Sequence, residues 1–116
     1  MDKLNEFLFN LKEKSNKKYS RGIDKCQIKE IVKEAKLNSD VTIIDVRSPL
    51  EFKEGHIDGA ILIPEYEIQY TIESIIRNKD QKIYAYCSSG IRSERAVKKL
   101  ERLGYTNSYN LGGIID

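Results

Sequence analysis

The sequence holds only two cysteines in 116 residues, Cys26 and Cys87, which stand 61 positions apart and form no CxxC pair. That scarcity excludes the framework of a disulfide-stapled secreted fold and the usual spacing of a zinc site. It fits a reducing, cytoplasmic setting. Long apolar runs are missing too. No stretch approaches the ~20 residues needed to span a bilayer, and Phe7-Leu8-Phe9 is too short for a secretory leader. Charge of one sign is also scarce, with a net charge of only +2. The excess sits in residues 1–18, where five lysines face three acids, and the rest of the chain is balanced. The body therefore lacks the basic footprint of a nucleic-acid binder. What is present, 40% hydrophobic and 33% charged residues, is the mix of a soluble globular protein. The length allows one domain, or one domain with a short appendage.

The appendage is residues 1–18. Leu4, Phe7, Leu8 and Leu11 recur at i, i+3, i+4 and i+7, one stripe of a short amphipathic helix, and Lys12 to Lys18 reads as a polar linker. A stripe of this width is ordinary. It reads as a helix packed back onto the domain or a twin subunit, in preference to one that lies on a membrane or a separate partner. Residues 19–116 form the domain. Its first helix has Asp24 as N-cap, Gln27 at N3 and the staple pair Ile23 and Ile28. Ile28, Ile31, Val32 and Ala35 give the core face, and Asn38-Ser39-Asp40 ends the helix.

Apolar runs then alternate with helical patterns. Val41-Thr42-Ile43-Ile44 reads as a strand covered on both faces. Ser48-Pro49-Leu50-Glu51 follows with N-cap, proline at N1 and glutamate at N3, a short helix ending near Gly55. Ala60-Ile61-Leu62-Ile63 is a second short strand, stopped by Pro64. Ile68, Ile72, Ile75 and Ile76 mark a helix face, and Lys82 to Tyr86 a third strand. Ala96, Val97, Leu100 and Leu103 mark the last helix, with Gly104 placed to end it. Ser108 to Leu111 is a final strand. The alternation predicts an α/β fold: a mostly parallel sheet of four to five strands with helices on both faces. In such sheets ligands sit beyond the carboxyl ends of the strands.

One loop at such an end carries chemistry: Cys87-Ser88-Ser89-Gly90-Ile91-Arg92-Ser93, between the third strand and a helix beginning near Ser93. A thiol there faces backbone N–H groups at a helix N-terminus, where the macrodipole favours an anion. Arg92 adds a permanent positive charge. Both favour thiolate over thiol, and the thiolate is the nucleophile. The small residues at 88 and 89, with Gly90, let successive amides converge on one anion. A space-filling buried cysteine is the bland alternative. The catalytic reading requires a charged sulfur in a pocket sized for one more sulfur. A side chain sealed from solvent, or titrating as an ordinary thiol, would count against it.

At these residues the sequence resembles the rhodanese-like single-domain sulfurtransferases. The resemblance extends upstream to Asp45-Val46-Arg47-Ser48, Glu51 to Ile57, Gly59-Ala60 and Ile63-Pro64. Downstream it takes in Gly104-Tyr105 and Tyr109 to Gly113, so it spans about residues 20 to 113. It implies that Cys87 attacks the outer sulfur of a donor such as thiosulfate, releases sulfite and becomes a persulfide. A thiol or cyanide acceptor then removes that sulfur. By the same resemblance, the amides of Ser88 through Arg92 cradle the persulfide, the Arg92 side chain assists the anionic donor, and no metal or organic cofactor takes part. The expected partners are small sulfur donors and acceptors, with no nucleic acid and no membrane span. Relatives often continue past the glycine pair, whereas this sequence ends at Asp116. The expectation is a site wall left open or supplied by a partner subunit, with the Leu4–Leu11 helix as compensating cover.

Two rival readings share the cysteine. One is a persulfide carrier that hands sulfur to a protein partner without free turnover. The other is a cysteine phosphatase or arsenate reductase. Phosphatases of this kind show Cys-x5-Arg, whereas four residues separate Cys87 from Arg92, a loop suited to sulfur and crowded for phosphate. Arsenate reduction needs a resolving cysteine, and Cys26 reads only as a small residue near a helix start. Around the loop, Asp45 closes a strand, and Arg47 is expected to pair with Glu51 as a brace. His56, the only histidine, follows Gly55 in a tight connection and reads as structural.

Overall fold

The computed structural model describes residues 25–113, so the helix and linker assigned to 1–18, the Asp24 cap and the end of the chain lie outside the described residues. Four strands are described. They are β1 (Val41–Asp45), β2 (Ile61–Leu62), β3 (Lys82–Cys87) and β4 (Ser108–Gly113). All pairings are parallel, in the order β2-β1-β3-β4. Four α-helices connect or precede them: α1 (Lys25–Leu37), α2 (Pro49–Glu54), α3 (Ile68–Ile75) and α4 (Ile91–Arg102).

Strand pleating sorts the apolar side chains onto two faces. Ile43, Tyr84, Tyr86 and Leu111 pack with Ile31 of α1 on one side. Ile44, Ile83, Ala85 and Cys87 pack with Ile68 and Ile72 of α3 and with Ala96, Val97 and Leu100 of α4 on the other. Helices thus cover both faces, as a buried parallel sheet demands. One expected face residue departs. Ile75 is 45% exposed, and Ile68, Ile72 and Ile76 alone turn inward.

The local signals act as read at α2. The Ser48 side chain accepts from the Glu51 N–H at 3.2 Å, the Glu51 carboxylate accepts from the Ser48 N–H at 3.1 Å, and Pro49 takes N1. Gly104 ends α4 with φ +95°, and Tyr105 N–H returns to the Leu100 carbonyl at 3.0 Å. Several boundaries move, β2 shrinking to Ile61–Leu62. β3 runs through Cys87, and α4 begins at Ile91 rather than near Ser93, because Gly90 takes the left-handed cap at φ +94°. β4 extends to Gly113, with a register shift opposite the Ala85–Tyr86 step: Ala85 pairs Asn110, Tyr86 pairs Gly112, and Cys87 pairs Gly113.

Candidate active site

Cys87 is the last residue of β3, and the chain turns there into α4 within three residues. Gly90 N–H points at the sulfur from 2.9 Å and Ser93 N–H from 3.4 Å, and the Ser93 hydroxyl lies 3.4 Å away. Burial pushes the thiol pKa up. The hydrogen bonds from the Ser93 hydroxyl and from the amides of Ser93, Gly90 and Ser89 together outweigh it, so the thiol titrates below its ordinary value. An ordinary thiol is therefore not what the loop holds.

Exposure departs from expectation. Cys87 has 0% of its surface exposed, while Ser88 and Ser89 above it are exposed. The expectation of an open sulfur is thus corrected: among the described residues the loop covers the sulfur itself. A further clamp comes from β4. A Cβ on Gly113 would overlap the Ser88 carbonyl oxygen and stand 3.0 Å from Ser89 Cα. A groove of about 1050 Å³ runs between α1 and the turn after α2. Its walls include Lys29, Lys33, Glu51 and Ser88, but not Cys87.

The charged neighbours pair differently from the sequence reading. Arg47 does not reach Glu51. Its guanidinium lies on Asp45, with Nε at 3.0 and 3.1 Å and Nη2 at 2.8 Å, and Nη2 also donates to the Gly55 carbonyl. Geometry explains the choice: Asp45 and Arg47 point the same way, two residues apart at a strand end, where the Arg47 N–H also donates to Asp45 at 2.9 Å. Glu51 takes Arg92 instead, in a fork of 2.8 and 3.0 Å, and accepts the Ser88 hydroxyl at 3.0 Å. Arg92 and the Ser48 N–H together hold the Glu51 carboxyl well below the usual carboxylate range. The Arg92 guanidinium is therefore engaged with α2, not turned free toward an incoming anion. Ile91 is 53% exposed. Cys26 is exposed, and His56 Nδ1 donates to the Phe52 carbonyl, 2.8 Å away, with its ring stacked on Phe52 at 3.6 Å.

Two residues missing from the sequence reading complete the site. Asn110 is fully buried, and its Oδ1 accepts from the Ser93 hydroxyl and from Gly112 N–H, both at 2.7 Å. Tyr86, on the opposite face from Cys87, donates to Asp45 at 2.7 Å and accepts from Ile57 N–H at 2.9 Å. An asparagine beside Leu111 in the last strand was the available signal for the first, since strands disfavour it and a buried amide must be satisfied.

A strand-end cysteine under converging amides, at the switch from a parallel strand to a helix, defines a class. Residues 28–115 match the rhodanese-like domain model, and the chain belongs to that family. Among curated proteins it is 37% identical over 73 residues to the thiosulfate sulfurtransferase PspE of Escherichia coli, covering 63% of this chain and 70% of that one. It is 31% identical over 103 residues to a tRNA uridine(34) hydroxylase of Erwinia tasmaniensis, covering 80% of this chain but only 29% of the relative. Among solved structures it is similar to an E. coli rhodanese with anions, at 35% identity and a TM-score of 0.62, covering 64% of this chain and 87% of that one. The relatives named for tRNA remove the support for excluding a nucleic-acid partner. Among the described residues, no helix is long and apolar enough to cross a membrane.

Proposed function

We propose that this protein transfers sulfane sulfur through a persulfide on Cys87. The thiolate forms a bond to the outer sulfur of thiosulfate, that sulfur's bond to the sulfonate breaks, and sulfite leaves with the bonding electrons. An acceptor thiophile then attacks the outer persulfide sulfur, and the Cys87 thiolate returns as leaving group. The amides of Ser88 through Arg92 hold the added sulfur. Arg92 acts by fixing Glu51 and, through it, Ser88, while Asp45 and Arg47 brace the neighbouring turn. The observation that carries this reading is the convergence of Gly90 N–H, Ser93 N–H and the Ser93 hydroxyl on one sulfur. In this reading the exposed Ser88–Ser89 segment yields to admit the donor. Similarity to PspE supports thiosulfate as donor.

The sealed sulfur favours a second reading, a relay in which a protein partner displaces the loop and takes or gives the sulfur. Leu50 at 68% and Ile91 at 53% exposure stand beside the Glu51–Arg92 fork, on the surface such a partner would cover.

Purified protein with thiosulfate and cyanide, and no RNA, is expected to form thiocyanate, and Cys87→Ala to abolish it. Thiosulfate alone should add the mass of one sulfur to the Cys87 peptide, removable by dithiothreitol. Persulfide without thiocyanate turnover selects the relay, and full turnover in Cys87→Ala removes both readings.

A further inference from the structure

The Ser93 hydroxyl owns one proton and has three acceptors around it. Asn110 Oδ1 lies at 2.7 Å, the Gly90 carbonyl at 3.2 Å and Cys87 Sγ at 3.4 Å. Ser93, Asn110 and Cys87 are each 0% exposed, so no solvent competes for that proton. The amide of Asn110 is fixed in orientation, because Gly112 N–H donates to Oδ1 at 2.7 Å, leaving Nδ2 toward the Gly90 carbonyl at 3.5 Å. Two arrangements satisfy every group. With a thiol at 87, Sγ–H donates to Ser93 Oγ and Ser93 donates to Asn110. With a thiolate, Ser93 turns its proton to the sulfur, and Asn110 Oδ1 keeps the Gly112 N–H. The second exchange is favourable because a hydrogen bond to an ion is stronger than one to an amide oxygen.

We propose that Ser93 and Asn110 form a hydroxyl switch beneath Cys87: Ser93 donates to Asn110 while the sulfur is protonated and to the sulfur once it is charged, which makes Asn110 a positioning residue of the sulfur chemistry. No proton leaves along this path, since the Asn110 amide accepts but does not carry one onward. Asn110 opposes the thiolate by holding the Ser93 proton, and Ser93 favours it. The surrounding charges are largely spoken for. Arg92 of α4 is close enough to feel the charge of the sulfur but is paired with Glu51 of α2, and Asp45 and Arg47 pair with each other at the end of β1. Described residues of β4 bring no charge.

The switch rests on Cys87 being the reacting sulfur, and its test reads the sulfur without turnover. In a Cys26→Ser background, thiolate ultraviolet absorbance against pH follows Cys87 once the tyrosine signal of a Cys26→Ser, Cys87→Ala control is subtracted. Ser93→Ala is expected to raise the midpoint by about one unit, a tenfold loss of thiolate below it, and Ser93→Thr, which keeps the hydroxyl, to restore most of the shift. Asn110→Ala is expected to lower the midpoint, because the hydroxyl is released to the sulfur. Where that variant fails to fold, Asn110→Ser decides: it adds no charge, its shorter side chain lets go of the Ser93 hydroxyl, and it lowers the midpoint. Each Asn110 effect should shrink in the Ser93→Ala background. An unmoved midpoint in Ser93→Ala, or Asn110 shifts of equal size with and without the hydroxyl, overturns the switch. Either result beside intact sulfur transfer leaves the proposed function standing, and a working switch without persulfide removes the function alone.

Discussion

Two arginine–carboxylate pairs flank the cysteine loop, and they are built in different media. Arg47–Asp45 is buried, with side chains 10% and 0% exposed, and Tyr86 adds a third partner. Arg92–Glu51 is about a third exposed on both sides. In the buried pair the ions have given up water and depend on each other, so loss of one leaves an uncompensated charge. In the half-exposed pair water substitutes for a lost partner, and the attraction is weaker. One pair therefore holds the end of β1 to the turn after α2. The other ties α2 to the first turn of α4 and, through Ser88, to the cysteine loop.

The comparison breaks most sharply at Asp45. Asp45→Ala strands the Arg47 guanidinium and is expected to cost roughly 3–5 kcal/mol, read from the denaturant midpoint at unchanged slope. Tyr86→Phe removes one donor from Asp45 and orphans the buried Ile57 N–H, for about 1–3 kcal/mol in the same measurement. Glu51→Gln is the mildest, at most about 1 kcal/mol at neutral pH. Its pH dependence sharpens the contrast. The folded carboxyl titrates below its ordinary value of 4.5, so its stabilisation is complete above that pH and is lost as acid protonates it. The stability gap between the native protein and Glu51→Gln should therefore be flat from neutrality down to about pH 5 and close in more acid solution. A gap that widens in acid would reverse the assignment.

Legibility followed the same division between local and distant causes. The Ser48–Glu51 capping box, the Gly104 stop and the parallel β-branched strands lie within a few residues of their signals, and the fold read through. The amide cradle was equally local, since Cys87 to Ser93 is one turn of chain. The pairings were not. Arg47 had acids two residues back and four residues on, and spacing alone did not reveal that a strand end would turn it to Asp45. Arg92 finds Glu51 across 41 positions, and Asn110 finds Ser93 across 17. Such contacts are set by register, including the extra residue opposite the Ala85–Tyr86 step. Exposure of the sulfur failed for the same reason, because the strand pressed against Ser88 enters the chain only after the whole of α4.

The fit of Gly113 against the backbone of Ser88 and Ser89 has an evolutionary consequence. Backbone, unlike a flexible side chain, has nowhere to retreat, so the smallest step in the genetic code away from glycine at that codon alters the cysteine turn itself. Saturation mutagenesis there should return one amino acid, and a homologue carrying any other would be expected to have reshaped its sulfur loop in compensation.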